Sequence, residues 1–398
     1  MTSNRAAWIT APKAHPFQIR ESALLEVLSG DDILVKVHAW AINPIDQVVQ
    51  AQGSSMSYPW LKYPAILGYD VAGEVIKVGS KVTRFAAGDR VFGLSYGCEK
   101  SEVTKHGGKA FPRSGFQEYV LLSDHMTARI PSDEISYEQA CVLPLGLSTA
   151  AAGLFQEDQL HLQLPSLNSA PINETLLIWG GSSSVGLNAI QLAVNAGYEV
   201  ITTCSPRNFE LVRRLGASTV FDYNSKTVVQ DIIKAFHNKT CAGAFTTGTG
   251  GAEKAFDILA RVSSPSSSSS SSSFATSGTT TTRKKKHIAM ATYPVPDPAP
   301  TNLVVPRTVV HFVSFLVGAW WKKVTTGVEY KFIWGGTVVD NGIGKQLFVD
   351  FLEQALEQRK YVCSPEPMVV GGKGVESLQD GIDVLAKGVS AKKVVVTI

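Results

Sequence analysis

Charged residues, paired cysteines and long apolar runs are all scarce in this sequence of 398 residues. Charged side chains make up 18% of the chain, against roughly 25% in an average protein. The 37 basic and 34 acidic residues leave a formal charge of +3, which excludes a nucleic-acid binder that relies on a concentrated basic surface. The five cysteines form no C-x-x-C pair, so we expect the reduced thiols of an intracellular protein. They are Cys98, Cys141, Cys204, Cys241 and Cys363.

Signals for secretion and for membrane insertion are also missing. Residues 1–10 lack the apolar core of a signal peptide. The most apolar long stretch, Leu303 to Trp321, is interrupted by Pro306, Arg307 and His311 and becomes too short to span a bilayer. With 44% hydrophobic residues, the chain is too apolar to be disordered as a whole. We therefore predict a soluble, cytoplasmic protein with no membrane partner.

The first third of the chain is rich in strand and turn signals. Residues 33–39 carry β-branched side chains in rough alternation, residues 71–79 end in a glycine, and residues 88–93 place a Gly-Asp turn before a short strand. Glycines punctuate the region, and no long helical period occurs in it. This pattern predicts an antiparallel, barrel-like β domain.

Beyond about residue 137 the pattern changes to alternating strands and helices. The run at 175–179 is continuously apolar, as expected for a strand buried on both faces of a parallel sheet. Further strands are predicted at 198–203 and 219–222, and helices at 186–196 and 209–215. This β-α-β-α-β order is typical of a doubly wound dinucleotide-binding fold.

Two later stretches interrupt this order. Residues 263–286 are serine-, threonine- and lysine-rich, which favours a solvated disordered loop over a targeting or nucleic-acid patch. Residues 294–326 are proline-rich and then apolar, and a substrate-side lid, an oligomer contact and an insertion without a role all stay open. After them we predict a strand at 330–334, an amphipathic helix at 345–359 and a last strand at 393–398.

The strongest chemical signal is the turn that follows the strand at 175–179. Its small residues allow the backbone to turn tightly, approach a pyrophosphate and present helix N–H groups to its charge. Counted from Gly181 the motif is G-x-S-x-x-G, and its β-α-β context favours a nucleotide site over an ordinary turn. No G-x-x-x-x-G-K-[ST] motif occurs, which disfavours a nucleoside triphosphatase. The predicted cofactor-binding residues of the turn are Gly180, Gly181, Ser182, Ser183, Ser184, Val185 and Gly186.

At these positions the chain resembles the medium-chain dehydrogenases/reductases, in their zinc-independent quinone oxidoreductase and enoyl reductase branch. The resemblance covers residues 1–260 and about 327–398, whereas 261–326 departs from the family. It is carried by Asn43-Pro44-Ile45-Asp46, Leu67 to Val75, Val78-Gly79, Gly88-Asp89-Arg90-Val91, Gly115 to Tyr119, Leu143 to Ala150, the Gly180–Gly186 turn, Gly216-Ala217 and Phe221-Asp222-Tyr223.

The resemblance implies an α/β fold of two domains. A Rossmann-type doubly wound parallel sheet would occupy residues 144–339, and a discontinuous GroES-like β-barrel catalytic domain would be built from 1–143 and 340–398. The Ser/Thr-rich insertion 263–286 and the atypical segment 294–326 would then both belong to the nucleotide-binding domain.

The same resemblance allows a test for metal. Zinc-dependent relatives hold their catalytic zinc with Cys, His and Cys, and the matching positions here resemble Asn43, Tyr69 and Leu145, which supply neither thiolate nor imidazole. The structural zinc lobe of the family needs four cysteines, and the corresponding stretch holds only Cys98, with His106 nearby. We therefore predict that no metal is bound.

Without a Lewis acid, hydride transfer to an activated C=C bond of an α,β-unsaturated carbonyl compound or to a quinone is favoured over alcohol oxidation. We predict Asn43 and Tyr69 as catalytic residues, which would hold the nicotinamide or the substrate oxygen. Asn43 as a turn residue before Pro44 and Tyr69 as wall packing stay open. Ser148 and Thr149 match the cofactor-facing segment of the family and are predicted to contact the cofactor.

The end of the second predicted strand favours NADPH over NADH. An NAD site places an acidic residue about 20 positions beyond the glycine turn, and none occurs between Ile201 and Phe209. Ser205, Arg207 and Asn208 lie there instead, and Tyr223 follows the third strand. An arginine pairs well with a 2′-phosphate. The alternative is that Arg207 projects into solvent.

The predicted partner is a small-molecule substrate, and the protein is expected to be a monomer or a homodimer. Within the same fold, the alternative is a trans-acting enoyl reductase that meets the acyl carrier of a polyketide synthase, because residues 204–209 also resemble those enzymes. An alternative of another class is a non-catalytic nucleotide sensor or scaffold, comparable to the crystallins that share this family.

Overall fold

The computed structural model describes residues 3–23, 28–55, 57–108, 111–263, 286–292 and 304–398, without the side chains of 304–306. The predicted insertion 263–286 therefore lies almost entirely outside the described residues, as does the start of the segment 294–326. The chain divides into two compact units, Met1–Ser148 with Gly335–Ile398 and Thr149–Trp334. The domain boundaries predicted from sequence, 143/144 and 339/340, differ from these by five residues each.

The first unit opens with an antiparallel β structure. Strand β3 pairs with both β5 and β7, β5 pairs with β6, and β6 pairs with β8, while β1 holds β2 and β4 in a small separate sheet. Nearly every side chain of β3 is buried, as its run of apolar residues requires. The elements are β1 (Asn4–Ile9), β2 (Gln18–Ser22), β3 (Asp32–Ala41), α1 (Pro44–Gln52), β4 (Ala65–Ile66), β5 (Asp70–Val78), β6 (Arg90–Leu94), α2 (Lys100–Lys105), β7 (Tyr119–Ser123), β8 (Thr127–Arg129), α3 (Tyr137–Ala140) and α4 (Pro144–Phe155).

The second unit is a six-stranded parallel sheet in the order β11-β10-β9-β12-β13-β14. Strand β10 lies on one side of β9 and β12 on the other, so the strand order reverses beside β9, where doubly wound folds bind their ligands. The predicted doubly wound fold is confirmed. The elements are β9 (Glu174–Trp179), α5 (Ser184–Asn195), β10 (Glu199–Cys204), α6 (Phe209–Arg214), β11 (Thr219–Asp222), α7 (Val228–Ala235), β12 (Thr240–Thr246), α8 (Gly251–Leu259), β13 (His287–Met290), α9 (Val304–Thr326) and β14 (Glu329–Phe332).

The last part of the chain returns to the first unit. Strand β16 pairs antiparallel with β3, with Val395 opposite Ala41, and β15 pairs parallel with β16. The single helix predicted at 345–359 is wrong, because Asp350 N–H bonds to the carbonyl of Lys345, five residues back, and interrupts the i−4 ladder. The elements are α10 (Ile343–Phe348), α11 (Leu352–Glu357), β15 (Glu366–Val369), α12 (Leu378–Ala386) and β16 (Lys392–Thr397).

The segment 294–326 contains α9, which at 23 residues is one of the long helices of the chain. In the described ranges, no helix combines the length and the apolar character that crossing a membrane would require.

Candidate active site and cofactor site

The glycine turn between β9 and α5 has room for glycine alone at three of its positions. Gly180 has φ +85°, and a Cβ on it would lie 2.3 Å from the carbonyl oxygen of Thr247. A Cβ on Gly181 would lie 2.1 Å from the Thr202 hydroxyl, and one on Gly186 would lie 2.3 Å from the carbonyl of Gly180. The backbone therefore passes β10, the end of β12 and its own first turn at contact distance, which leaves no room for a side chain at these three positions.

Ser183 closes this turn from within. Its hydroxyl accepts a hydrogen bond from Gly186 N–H at 3.0 Å and donates one to the carbonyl of Gly180 at 3.0 Å. Ser183 is the N-cap of α5 and stands where the usual fingerprint has its middle glycine. The neighbouring Ser184 hydroxyl is buried and, within the described part of the chain, has no hydrogen-bond partner. A pyrophosphate oxygen at this helix N-terminus would satisfy it, so the turn, which also contains Ser182 and Val185, fits the phosphates of a dinucleotide.

The residues predicted to bind the adenosine half meet where β10 and β11 end. These strands run parallel with Cys204 opposite Asp222. Ser205 and Tyr223 therefore follow at neighbouring positions, and their hydroxyls lie 3.2 Å apart. Arg207 is exposed in the short 3₁₀ turn Pro206–Asn208, and Asn208 is buried at the start of α6.

Sequence reasoning missed Lys254 at this corner. Its ammonium lies 3.3 Å from the carbonyl oxygen of Tyr223 and 5.0 Å from the ring centre of Trp179. Lys254 belongs to α8, one strand later in the chain than Tyr223, and no local motif marks it. Only the strand order, which places β12 beside β9, brings α8 to this edge of the sheet. Its charge adds to that of Arg207 beside the Ser205–Tyr223 pair.

Ser148 and Thr149 lie within α4, where the chain passes from one unit to the other. Thr149 is half-buried, and Ser148 is fully buried. Among the described residues, the Ser148 hydroxyl finds no hydrogen-bond partner. A buried hydroxyl without a partner is energetically costly unless a ligand or water satisfies it, so the cofactor contact of Ser148 stays a prediction.

In the first unit, Asn43 is held in a buried polar cluster with Asp70 and Lys393. The Asn43 amide donates to Asp70 Oδ2 at 3.0 Å and accepts from Lys393 Nζ at 2.6 Å. Lys393 and Asp70 form an ion pair at 2.8 Å. The other Asp70 oxygen accepts the N–H of Leu145 at 2.6 Å. Asp70 is fully buried and Asn43 is 3% exposed, so both ends of the amide are in use.

A second carboxyl, Asp46, lies beside this cluster. It accepts hydrogen bonds from the N–H of Asn43 at 2.9 Å and of Gly68 at 3.2 Å. Burial raises the pKa of Asp46 to about 7, the two N–H groups oppose that rise, and the negative charge of Asp70 adds to it. Asp46 therefore changes charge near neutral pH.

The raised pKa of Asp46 makes stability depend on pH. Because the folded pKa lies above that of the unfolded chain, the folded state binds the extra proton between about pH 4 and 7, and its stability falls as pH rises through that range. The variant Asp46→Asn should lose this pH dependence. When the free energy of unfolding is measured in urea, that of the wild type should therefore fall relative to that of Asp46→Asn between pH 4.5 and 7.5. The control is Asp31→Asn, which replaces an exposed carboxyl. If the free energy of unfolding of Asp46→Asn changed with pH in parallel with that of the wild type, the raised pKa of Asp46 would be contradicted.

Tyr69 lies against Tyr58 in the same unit. The Tyr69 hydroxyl donates to the Tyr58 hydroxyl, and the rings stack with centroids 6.4 Å apart. Burial raises the pKa of both phenols well above their usual value, and in Tyr69 the neighbouring Tyr58 adds to the rise. Both phenols therefore stay protonated at neutral pH and remain hydrogen-bond donors.

The similarity to known proteins covers both units. The alcohol dehydrogenase GroES-like domain matches residues 29–132. The protein described as dehydrogenase pigH of Monascus ruber is 47% identical over 399 residues, which cover 100% of both chains. The chain belongs to the medium-chain dehydrogenase/reductase family. It is accordingly an oxidoreductase, and the predicted fold class of a Rossmann domain with a GroES-like domain is confirmed.

The branch of the family is also the predicted one. A trans-enoyl reductase, himH of Aspergillus japonicus, is 32% identical over 99% of this chain and 97% of its own. The crystal structure of CurK enoyl reductase superposes with a TM-score of 0.68 at 17% identity, covering 99% of both chains. This medium-chain oxidoreductase thus belongs to the zinc-independent branch and is similar to a trans-enoyl reductase along nearly its whole length.

The zinc positions of the family do not fit a metal in this reductase. Leu145 offers no donor atom, the Asn43 amide is engaged by Asp70 and Lys393, and the Tyr69 phenol stays protonated. The ammonium of Lys393, 2.6 Å from Asn43 Oδ1, would also repel a cation. Elsewhere in the described ranges no cluster of His, Cys, Asp and Glu resembles a metal site. Burial raises the pKa of the Cys98 thiol to about 12, which disfavours the thiolate form that binds zinc.

We expect the purified reductase to contain no stoichiometric zinc and to keep its activity after treatment with a chelator. The physical reason is the donor set, which lacks a thiolate or imidazole at the three positions. Elemental analysis of the purified chain, with turnover measured before and after dialysis against the chelator, checks this. One zinc per chain, with activity lost on its removal, would contradict it.

Proposed function

We propose that this oxidoreductase uses NADPH to reduce the activated C=C bond of an α,β-unsaturated carbonyl compound or to reduce a quinone, without a metal. The observation that carries the proposal is the buried Asn43–Asp70–Lys393 cluster, in which Asn43, at a position that resembles one of the family's metal ligands, is held by a buried ion pair. An enone needs no Lewis acid when hydrogen-bond donors stabilise the enolate oxygen. A reductase of activated double bonds is therefore the activity that this residue set supports best.

The chain's own part in such a reaction is to bind, orient and donate hydrogen bonds. Bound NADPH would supply the hydride that adds to the β-carbon, and solvent would supply the proton that the α-carbon takes up. The glycine turn and Ser184 would hold its pyrophosphate, and Ser205, Arg207 and Lys254 would hold the 2′-phosphate. The Tyr69 hydroxyl donates its one proton to Tyr58 in this structure, so with substrate bound it would turn that proton to the substrate oxygen and accept a hydrogen bond from Tyr58 instead. Asn43 would offer only the second lone pair of its Oδ1, because its amide N–H groups bond to Asp70 and to the carbonyl of Ala41, and Lys393 donates to its Oδ1.

We expect Tyr69→Phe to lower kcat for an enone about tenfold and to leave the KM for NADPH unchanged. Loss of one hydrogen bond to a developing charge corresponds to roughly 1.5 kcal/mol. The matched control is Tyr58→Phe, which removes the hydroxyl that Tyr69 contacts but keeps the Tyr69 donor. Steady-state kinetics on the two variants distinguish the roles, and equal kcat values for Tyr69→Phe and wild type would assign Tyr69 to wall packing.

A second candidate function is that of a trans-acting enoyl reductase serving a polyketide synthase. It is supported by the likeness to himH along nearly the whole chain. In that case the substrate would be an enoyl thioester carried on an acyl carrier domain, and the reduction itself would be the same.

The deciding experiment is NADPH oxidation with a panel of simple enones, quinones and enoyl thioesters, the last offered both on a small pantetheine and on an acyl carrier domain. Turnover of free enones or quinones supports the first function. Turnover confined to carrier-bound thioesters supports the second. Tight binding of NADPH without turnover of any substrate would overturn both and favour a nucleotide sensor.

A further inference from the structure

The outer face of α9 is covered with apolar side chains. Among the described residues fifteen large apolar side chains are exposed, and seven of them belong to this one helix, each between 51% and 65% exposed. Contiguous apolar surface of this kind usually marks an interaction site. The seven are Val309, Val310, Val313, Val317, Trp320, Trp321 and Val324.

The inner face shows that α9 is already anchored. Phe315 and Ala319 are buried in the core of the second unit. Lys322 pairs with Asp257 at 2.8 Å, and Lys323 pairs with Glu329 at 2.5 Å. The exposed residues therefore do not belong to the packing of the helix on its own unit. The two ion pairs also neutralise the lysines that flank the outer face.

The spacing along the outer face favours another helix as its occupant. Exposed apolar residues stand at 310, 313, 317, 321 and 324, at steps of three and four. Such steps place the side chains in one stripe along the helix, against which the side chains of a facing helix can pack. A helix that lies on an anionic lipid surface is rich in basic side chains, whereas the described part of α9 has two paired lysines and the exposed Arg307.

We propose that α9 pairs antiparallel with α9 of a second copy of this chain, about a two-fold axis at Val317. The apolar positions are nearly symmetric around Val317, so Val310 would lie opposite Val324 and Val313 opposite Trp321. Small side chains of one helix then meet large ones of the other, and the helix dipoles oppose each other. A parallel pair would place tryptophan on tryptophan and Lys323 beside Lys323.

The area is sufficient for a stable dimer. The seven side chains offer on the order of 700 Å² per chain, against roughly 800 Å² per partner in an interface of standard size. This inference concerns assembly only and does not depend on the proposed reaction.

The first test is sedimentation velocity of the full chain from low to high micromolar concentration. The wild type should dimerise, and Val317→Glu, which sets two carboxylates against each other at the axis, should weaken the dimer at least about a hundredfold. Val369→Glu, equally exposed but on β15, should behave as wild type. A wild type that stays monomeric, or a Val317→Glu chain that dimerises normally, would overturn the proposal. So would a monomer that sediments with phosphatidylserine vesicles, which would make lipid the occupant.

Cysteine cross-linking tests the geometry independently of any loss of folding. Val317→Cys lies opposite itself and should form a disulfide-linked dimer on mild oxidation, whereas Val310→Cys should do so only when mixed with Val324→Cys. The unmodified chain gives the background, because Cys98, Cys141, Cys204 and Cys241 are buried. Self-linking of Val310→Cys as efficient as that of Val317→Cys would overturn the antiparallel arrangement.

Discussion

Replacing Arg207 by alanine is expected to raise the KM for NADPH about tenfold to a hundredfold and to leave the KM for NADH little changed, since a charge-assisted hydrogen bond contributes roughly 1.5–3 kcal/mol. The Ser205 and Tyr223 hydroxyls, 3.2 Å apart, mark the corner where the 2′-phosphate would lie. Lys254, 3.3 Å from the Tyr223 carbonyl, supplies a second cation there. Steady-state kinetics with both cofactors measure the effect.

Arg214→Ala is the matched control for Arg207→Ala. Arg214 is an exposed arginine in the last turn of α6, at the opposite end of that helix from Arg207. It should leave both KM values unchanged. Equal use of NADH and NADPH by the wild type, or an Arg207→Ala enzyme indistinguishable from wild type with NADPH, would place the phosphate pocket elsewhere. Lys254→Ala would then be the variant to examine.

Replacing Lys393 by methionine should destabilise the first unit by about 3–5 kcal/mol, because it leaves a carboxylate buried without its partner. The pair is close, with Lys393 Nζ 2.8 Å from Asp70 Oδ2, and Asp70 is fully buried. The same change frees the Asn43 amide oxygen from its contact with Lys393. Urea unfolding gives the free energy of unfolding for the variant and the wild type.

The adjacent residue supplies the control. Lys392 pairs with Glu366 at 3.5 Å with its side chain 48% exposed, so Lys392→Met should change stability by less than about 1 kcal/mol. The double variant Lys393→Met with Asp70→Asn should recover part of the loss, since it removes the unpaired charge. A Lys393→Met chain as stable as the Lys392→Met chain would contradict the contribution of the buried Lys393–Asp70 ion pair.

The fold was predictable where neighbouring residues carry the signal. The apolar run of β9, the glycine turn and α5 are consecutive, and together they specify a strand, a tight turn and a helix N-terminus. The corner of Ser205 and Tyr223 was predictable because each directly follows a strand of a parallel sheet, whose carboxyl ends share one edge.

The remaining parts of the site depend on contacts between distant residues. Lys393 is 350 positions from Asn43, and its sequence context shows only the start of a strand. Lys254 reaches the cofactor corner through the strand order alone. The exposed face of α9 could not be predicted, because a helix apolar on both sides reads in sequence as a buried one. The catalytic roles of Asn43 and Tyr69 stay predictions.

The pairing of β16 with β3 has a consequence for the folding of the protein during its synthesis on the ribosome. The residues of the second unit, Thr149–Trp334, are contiguous and can all be available for folding while synthesis continues. The central sheet of the first unit cannot close until β16 has left the exit tunnel, because β16 supplies Lys393 and pairs with residues 39–41 of β3, beyond the part of that strand that β7 pairs with. Until then the nascent chain carries an open strand edge and an uncompensated Asp70, which is the kind of intermediate that chaperones shield.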